Sequence, residues 1–183
     1  MTFDLSNRET VFATLPRDGV GAEIGVDTGD FSRIILQNAD PYLLYLIDCW
    51  EHQPVEIHGH DPSNACQEIK DGFYHAVLRS FLTDDRVRVV KAFSQEAAPL
   101  FPDNFFDWVY LDANHLQCYQ DIQAWWPKVK RGGWLMGHDY VRGGVEDYVT
   151  VQADVDRFVA ETGFLLLLTD DPIWKAWIIG RPV

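Results

Sequence analysis

Short apolar runs alternate with longer amphipathic stretches along the chain. The runs have the length of buried strands and are bounded by polar or glycine-containing segments. In chain order they read "GAEIGV", "YLLYLIDCW", "RVRVVKAF", "FFDWVYLDANH", "GGWLMGHDY", "GFLLLLTD" and "IWKAWIIG". The last two are joined through "DDP", and this spacing predicts a hairpin at the end of the chain.

Apolar residues recur at helical spacing in the stretches between these runs. Helices are predicted over residues 31–37, 63–82, 118–130 and 151–162. Asp30 is a candidate N-cap of the first helix. The third is expected to run up to "RGG" with Pro127 as a bend inside it, and Gly163 ends the fourth. Strands that alternate with helices predict an α/β fold: a Rossmann-like, seven-stranded, mostly parallel sheet with helices on both faces and a C-terminal antiparallel hairpin.

Chain length and charge narrow the class of protein. With 183 residues the chain fits a single domain, 1–183, in which residues 1–18 form a helical N-terminal segment and a candidate lid. The net charge of -13 disfavours nucleic acid and anionic membranes as partners, because both would be repelled. A small-molecule partner is expected instead, and a homodimer is the default oligomer.

The cysteines and the termini bear on the compartment. Cys49, Cys66 and Cys118 are widely spaced and form no CxxC pair, which predicts free thiols rather than a disulfide framework or a zinc ribbon. The N-terminus lacks an apolar signal core, and no apolar run is long enough to span a membrane. These features indicate a cytoplasmic protein.

A glycine-containing turn follows the first strand, in the stretch "VGAEIGVDTGDFS". A dinucleotide fingerprint would place glycines at the positions of Gly25, Asp27 and Asp30, and only the first matches. A carboxylate in this turn repels a diphosphate, whereas Asp27 and Glu23 would attract an ammonium group. The turn therefore favours a ligand without phosphate. The alternative is a plain turn in which Asp27 and Asp30 serve as caps.

The second strand ends at an acid, Asp48. An acid at this place, beside the first crossover, accepts the ribose hydroxyls of a bound nucleoside. Trp50 follows two residues later and is placed to pack on a base. The alternative is an acid that faces solvent after a strand.

Four motifs, each on a predicted strand end, carry a family resemblance: "AEIGVDTGDFS", "YLIDCWE", "FDWVYLDANH" and "GHDY". Together they resemble class I S-adenosylmethionine-dependent methyltransferases, and more narrowly a small-molecule O-methyltransferase-like family of the methyltransferase domain family 24 type. The resemblance runs from about Thr14 to the C-terminus. It implies an enzyme that transfers a methyl group from S-adenosylmethionine to a hydroxyl of a small molecule, such as a sugar or a secondary metabolite.

The resemblance also implies where the methionine part of the cofactor lies. Gly25 and Gly29 would let the backbone approach it, and Glu23 would hold its ammonium group. Asp48 would hold the ribose. Asp27 stands where the family has the middle glycine of the loop. Since S-adenosylmethionine carries a sulfonium and an ammonium but no phosphate, an acid in this loop is compatible with binding.

The adenine and the sulfonium are implied to lie further along the strand ends. Trp50 would border the adenine, and Ser94 and Gln95 would meet its edge. Asp112 would lie beside the sulfonium. The full set implied for the cofactor is Glu23, Gly25, Asp27, Gly29, Asp48, Trp50, Ser94, Gln95 and Asp112.

Asp112, His138 and Asp139 end two neighbouring predicted strands and are expected to converge in space. Two carboxylates and an imidazole can hold Mg²⁺ or another divalent metal, which would lower the pKa of a hydroxyl acceptor. His138 is alternatively the base that takes the acceptor's proton, with Asp139 orienting it, and His115 is a second candidate base. The catalytic candidates are thus His138, His115 and Asp112. A loop in which "HDY" merely caps the next helix is the structural alternative.

Two other functions fit the strand-and-helix pattern. One is an NAD-dependent Rossmann oxidoreductase, against which the incomplete glycine fingerprint argues. The other is a non-catalytic nucleoside-binding module, which likeness of fold does not distinguish from an enzyme. Two loops are expected near the ligands: "EIHGHD", as a polar loop or lid, and "VRGGVEDYVTVQ", which would shape the acceptor pocket.

Overall fold

The apolar runs form strands of one sheet in the computed structural model, which describes residues 2–59, 61, 63–141 and 150–183. The strands are β1 (Val20–Ile24), β2 (Leu43–Asp48), β3 (Val87–Lys91), β4 (Phe106–Leu111), β5 (Val129–Tyr140), β6 (Leu166–Leu168) and β7 (Lys175–Gly180). Their order is β3-β2-β1-β4-β5-β7-β6. The first five are parallel, and β7 is antiparallel to both β5 and β6. The predicted fold class is confirmed.

Helices cover both faces of this sheet. They are α1 (Arg8–Ala13), α2 (Asp30–Ala39), α3 (Val55–His58), α4 (Gln67–Ser80), α5 (Ser94–Ala97), α6 (Cys118–Trp125) and α7 (Val151–Thr162). No helix within the described ranges is long and apolar enough to cross a membrane. Residues 56–58 of "EIHGHD" belong to α3 rather than to a loop, and His58 and Asp61 line the cavity described below. His60 and residues 142–149 of the glycine-containing loop lie outside the described residues.

The buried strand β4 shows how the sequence builds two cores. Its alternate side chains point to opposite faces, as the twofold period of a strand requires. Trp108 and Tyr110 pack in the core under α1, α2 and α4. Val109 and Leu111 pack in the core under α6 and α7. All four are nearly or fully buried, which explains why the run has no polar alternation.

Several helix ends differ from the sequence expectation, among them both ends of α4, and two of the differences have a direct physical cause. Gly29, with φ of 78°, is the N-cap of α2, and Asp30 is already the first helical residue. Helix α6 ends at Trp125 instead of running to "RGG", because Pro127 has no N–H to donate and forces a short 3₁₀ turn, Trp126–Lys128. The two glycines of "RGG" belong to β5.

The carboxyl ends of the central strands are tied together just beyond the regular sheet. The Gly25 N–H donates to the Ile47 carbonyl at 2.9 Å, and the Asp112 N–H donates to the Ile24 carbonyl at 2.7 Å. The strand order reverses between β1 and β4, and open α/β sheets bind their ligands in the crevice at such a point. The loops after β1, β2 and β4 therefore share one crevice.

Candidate active site

A cavity of about 810 Å³ opens at this edge of the sheet. Its wall is built from the loop after β1, the ends of β2 and β4, the segment after β3, α1 and the segment around α3. Nine of the residues predicted for the site lie on the wall: Glu23, Gly25, Asp27, Asp48, Ser94, Gln95, Asp112, His115 and Asp139. Three others do not line it: Gly29, Trp50 and His138.

The loop after β1 needs glycine for two different reasons. Gly25 has φ of 91°, and a Cβ there would lie 2.0 Å from the Asp112 carbonyl oxygen, so the close approach is to the loop after β4. Gly29 has φ of 78°, and a Cβ there would lie 3.1 Å from a methyl carbon of Val77 on α4. Gly29 thus packs against α4 and lies off the cavity wall. The resemblance implies a place beside the methionine, and in the free protein Gly29 does not line the cavity.

Asp27 occupies the position of the family's middle glycine with φ of 48°, a conformation that aspartate tolerates better than most residues. Its Oδ1 lies 3.2 Å from Nζ of Lys70, whose residue is 8% exposed. Sequence reasoning missed Lys70. It falls in helical register with Val77 and Phe81 on the buried face of α4, and a lysine at an apolar register position was the available signal.

Asp48 ends β2 as predicted, and its carboxylate holds the loop after β1. Oδ2 accepts from the N–H groups of Val26 at 2.8 Å and Asp27 at 2.9 Å, while Oδ1 accepts from the Trp50 N–H at 2.7 Å. The carboxylate also borders the cavity, so the ribose contact stays a prediction.

Trp50 is fully buried, and its indole N–H donates to the Asp27 carbonyl at 2.8 Å. Trp50 therefore lies off the cavity wall in the free protein, away from the place beside the adenine that the resemblance implies. With φ of 43°, the backbone at Trp50 turns, and the ring enters the core beside Tyr74 on α4. Glu51, the next residue, lies on the cavity wall in its place.

Ser94 and Gln95 lie on the wall just beyond β3, as predicted. The Ser94 hydroxyl donates to Oδ1 of Asp121 at 2.7 Å and accepts from the Trp125 indole at 2.9 Å. Sequence reasoning missed Asp121, which is 3% exposed and lines the cavity. Burial raises the pKa of Asp121 to about 6, against the hydrogen bonds from Ser94 and Gln95 that lower it.

Glu23 is 1% exposed at the end of β1 and accepts a hydrogen bond from the Ser32 hydroxyl. Burial raises the pKa of Glu23 to about 8, and the nearby charges of Asp112 and Asp48 add to this effect. Glu23 is therefore mostly protonated at neutral pH in the free protein. A cation placed beside it would favour the ionised form.

Asp112, Asp139 and two histidines meet between β4 and β5. Asp112, His138 and Asp139 each offer a ligand atom, and these atoms lie within 4.8 Å of one another. Nδ1 of His138 lies 2.9 Å from Oδ1 of Asp139, and Nε2 of His115 lies 2.7 Å from its Oδ2. The His115 contact is close but poorly directed for a hydrogen bond. The structure thus brings together the residues that the sequence predicted for metal binding and for catalysis.

The electrostatics of this cluster follow from its burial and its shared charges. Burial raises the pKa of Asp112 to about 6, and the Asp139 carboxylate raises it further. For Asp139, burial is outweighed by the two imidazoles, which hold its pKa well below the ordinary range. Burial lowers the pKa of His115, but Asp139 and the charges of Asp112 and Asp61 together raise it by more, so the net shift is upward. A second cavity of about 10 Å³, the size of one water molecule, touches all four side chains.

Arg8, the first residue of α1, also reaches the main cavity. Its Nη1 lies 3.7 Å from Oδ2 of Asp112, and its guanidinium carbon lies 4.1 Å from the centre of the Phe31 ring. Sequence reasoning missed Arg8. Nothing in the sequence near the N-terminus indicates that α1 brings this residue close to the end of β4.

Several solved structures of low sequence identity align with this chain, and some of them are named as methyltransferases. A protein from Corynebacterium glutamicum aligns with a TM-score of 0.67 and 17% identity over 96% of this chain and 78% of its own. An O-methyltransferase family protein from Burkholderia thailandensis gives 0.67 and 13%, over 95% and 55%. Precorrin-6y C5,15-methyltransferase from Geobacter metallireducens gives 0.65 and 14%, over 94% and 85%. At these identities the likeness shows the fold alone.

The family membership is shown by a comparison of the sequence with a family profile. No curated protein matches the chain significantly. The profile of a methyltransferase domain family matches residues 22–140, which is more than half of the chain and contains the ends of the first five strands. The chain belongs to this methyltransferase domain family and is a class I S-adenosylmethionine-dependent methyltransferase.

Proposed function

We propose that the enzyme transfers the methyl group of S-adenosylmethionine to a hydroxyl of a small molecule. The observation that carries this proposal is the cluster of Asp112, His115 and Asp139 on the cavity wall, where Nε2 of His115 lies 2.7 Å from Asp139. A hydroxyl is a weak nucleophile until its proton is removed, so an acceptor of this kind needs a positioned base. The family assignment sets aside the nicotinamide oxidoreductase and the non-catalytic module.

The residues on the wall fit the chemistry of this cofactor. S-adenosylmethionine supplies an activated methyl group on a sulfonium, which is a good leaving group and carries a positive charge. Glu23, Asp48 and Asp112 bring carboxylates to the wall, and the pKa of the buried Glu23 stays raised because the Arg8 charge lowers it by less than burial and the neighbouring acids raise it. We assign Glu23 to the ammonium group and Asp48 to the ribose. Ser94 and Gln95 are assigned to the adenine edge.

His115 is the better placed of the two candidate bases. It lines the main cavity, whereas His138 borders only the small second cavity. Asp139 faces Nε2 of His115 and so favours the tautomer that carries the proton there, which leaves Nδ1 to accept the proton of the hydroxyl. Asp139 also contacts Nδ1 of His138 and thereby holds both rings in place.

A divalent metal is the second part of the proposal. Asp112, His138 and Asp139 would hold it, since their ligand atoms lie within 4.8 Å of one another beside a space the size of one water molecule. The repulsion between Asp112 and Asp139 that helps to raise the pKa of Asp112 would be relieved by a cation. A bound Mg²⁺ or Mn²⁺ would supply Lewis-acid polarisation of the acceptor oxygen.

Labelled methyl transfer tests the acceptor class. The enzyme is incubated with methyl-labelled S-adenosylmethionine and a panel of hydroxylated, aminated and carbon-acid small molecules, and the product is examined by NMR. We expect a methyl ether. Methyl groups found on nitrogen or carbon alone would contradict the hydroxyl acceptor, and the Geobacter neighbour shows that this fold serves a C-methyltransferase as well.

Calorimetry with MnCl₂ tests the metal site without relying on activity. We expect one ion to bind to the unmodified protein and not to Asp112→Asn. Asp103→Asn is the matched control, because Asp103 is exposed and pairs with Lys128 outside the cavity. Equal binding by the two variants would show that the ion lies elsewhere, and full methyl transfer in the presence of a chelator would remove the metal from the mechanism.

A further inference from the structure

Helix α1 brings a cation to the end of the cavity where the acids are crowded. The Arg8 guanidinium packs on the ring of Phe31, the second residue of α2, and reaches toward Asp112 at the end of β4. It therefore lies between the loop after β1 and the loop after β4. Phe12, one turn further along α1, is fully buried against Trp108 and Tyr110 and fixes the helix in this place.

Arg8 differs from the other cation on the wall. Among the residues that the structure describes, Arg8 and Lys70 are the lysine or arginine side chains that line the cavity. Lys70 is already paired with Asp27 at 3.2 Å. Arg8 stands 3.7 Å from Asp112, which is longer than a charge-assisted hydrogen bond, and its side chain remains 34% exposed. Its N–H donors can therefore turn to a ligand.

The methionine part of the cofactor offers a partner for a cation at this place. Its ammonium and its carboxylate are attached to the same carbon, so the partner of one group must stand beside the partner of the other. Glu23 is the proposed partner of the ammonium. Burial raises the pKa of Glu23 to about 8 and the Arg8 charge opposes this effect, so the two groups lie within electrostatic reach.

We infer that Arg8 binds the α-carboxylate of S-adenosylmethionine and that α1 is thereby a wall of the cofactor site. The inference rests on the assignment of Glu23 to the ammonium group in the proposed function. A planar guanidinium pairs with a carboxylate through two parallel hydrogen bonds, which adds geometric selection to charge. Arg8 then makes the enzyme select the cofactor that carries this carboxylate over analogues that lack it.

Isothermal calorimetry with two ligands isolates this contact. The ligands are S-adenosylmethionine and decarboxylated S-adenosylmethionine, which differ only in the α-carboxylate. For Arg8→Gln we expect an affinity for S-adenosylmethionine about tenfold weaker than that of the unmodified chain, the size of one partly exposed charge-assisted contact. Its affinity for the decarboxylated ligand should be unchanged or higher. Arg8→Lys should recover part of the loss.

Arg17→Gln is the matched control. Arg17 lies in the same N-terminal segment, pairs with Asp40 and is largely exposed outside the cavity, so its loss should leave both affinities unchanged. Retained binding of the decarboxylated ligand also shows that Arg8→Gln is folded. An equal loss of both ligands, or a loss of neither, would overturn the inference. Failure of the unmodified chain to bind either ligand would instead contradict the cofactor site as a whole.

Discussion

The carboxylates at the two ends of the cavity have different surroundings. The end with Asp48, Ser94 and Gln95 is called the adenosine end, and the end with Glu23, Asp112 and Asp139 the transfer end. At the adenosine end, Asp48 accepts three backbone N–H groups, so the protein itself supplies partners for this carboxylate. At the transfer end, burial and mutual repulsion raise the pKa of Glu23 to about 8 and that of Asp112 to about 6. Glu23 and Asp112 therefore lack sufficient positive charge in the free protein.

This difference separates carboxylates that hold the fold from carboxylates that are suited to bind a positively charged ligand. An acid whose lone pairs are filled by backbone donors fixes the shape of a loop, and a ligand adds to an arrangement that already exists. An acid with a raised pKa gains most from a ligand that brings positive charge. A sulfonium, an ammonium and a divalent metal are such ligands. The changes below are expected to separate the two ends, beginning with the largest effect.

Removal of the Asp139 charge should have the largest effect. For Asp139→Asn, with the best acceptor from the labelled panel, we expect kcat/KM to fall by about 100-fold or more, because the groups that orient and charge the base are lost. His115 acts as a base above its pKa, and Asp139 raises that pKa. The rising limb of the pH–rate profile should therefore move to lower pH in the variant. An unchanged limb would remove His115 from the role of base.

Glu23→Gln tests the charge of the methionine end by proton counting. At pH 6.5 Glu23 is protonated in the free enzyme, since its pKa is about 8, and it must ionise to pair with an ammonium. Binding of S-adenosylmethionine should then release close to one proton, and affinity should rise as the pH increases toward 7.5. Calorimetry in two buffers of different ionisation enthalpy measures the proton. The variant should release none, and a cofactor-binding heat of the unmodified chain that is independent of the buffer would contradict the assignment.

Asp48→Asn addresses the adenosine end. An asparagine cannot accept from all three N–H groups in the same geometry, and we expect a loss of about 1 to 3 kcal/mol in the free energy of unfolding, measured with urea. The affinity for the cofactor should also weaken, because the loop after β1 is loosened. Asp103→Asn serves again as the control for loss of an acid. Unchanged stability would show that these hydrogen bonds contribute little.

Trp50→Phe should have the smallest effect on the ligand. Trp50 is buried off the cavity wall, so the affinity for S-adenosylmethionine should stay within about threefold, while the lost hydrogen bond to the Asp27 carbonyl lowers stability by about 1 kcal/mol. The comparison is made by calorimetry and by thermal unfolding. A large loss of affinity at unchanged stability would restore the predicted contact with the adenine.

The fold and the strand-end acids were predictable because their signals are local. A strand is a short apolar run, and the residue that follows it in a parallel sheet must lie at the crevice. Asp48, Asp112 and Asp139 were therefore placed correctly from their positions along the chain. The same argument brought His138 and Asp139 next to Asp112, although His138 borders only the small cavity.

The other site residues are placed by tertiary packing, which the periodicity of the sequence does not predict. Arg8, Lys70 and Asp121 reach the cavity from three helices, and each is placed by the packing of its whole helix. Trp50 lies off the cavity wall because its own backbone, with φ of 43°, turns its indole into the core. Gly29 lies off the wall because the positive φ that it supplies serves packing against α4.

A crystal structure of the enzyme with S-adenosylmethionine and Mn²⁺ tests the central claim most directly. We expect the ammonium group beside Glu23, the methyl group directed at the Asp112, His115 and Asp139 cluster, and an anomalous peak among Asp112, His138 and Asp139. A cofactor bound in the reverse direction, with its adenine at this cluster, would contradict the division of the cavity into an adenosine end and a transfer end.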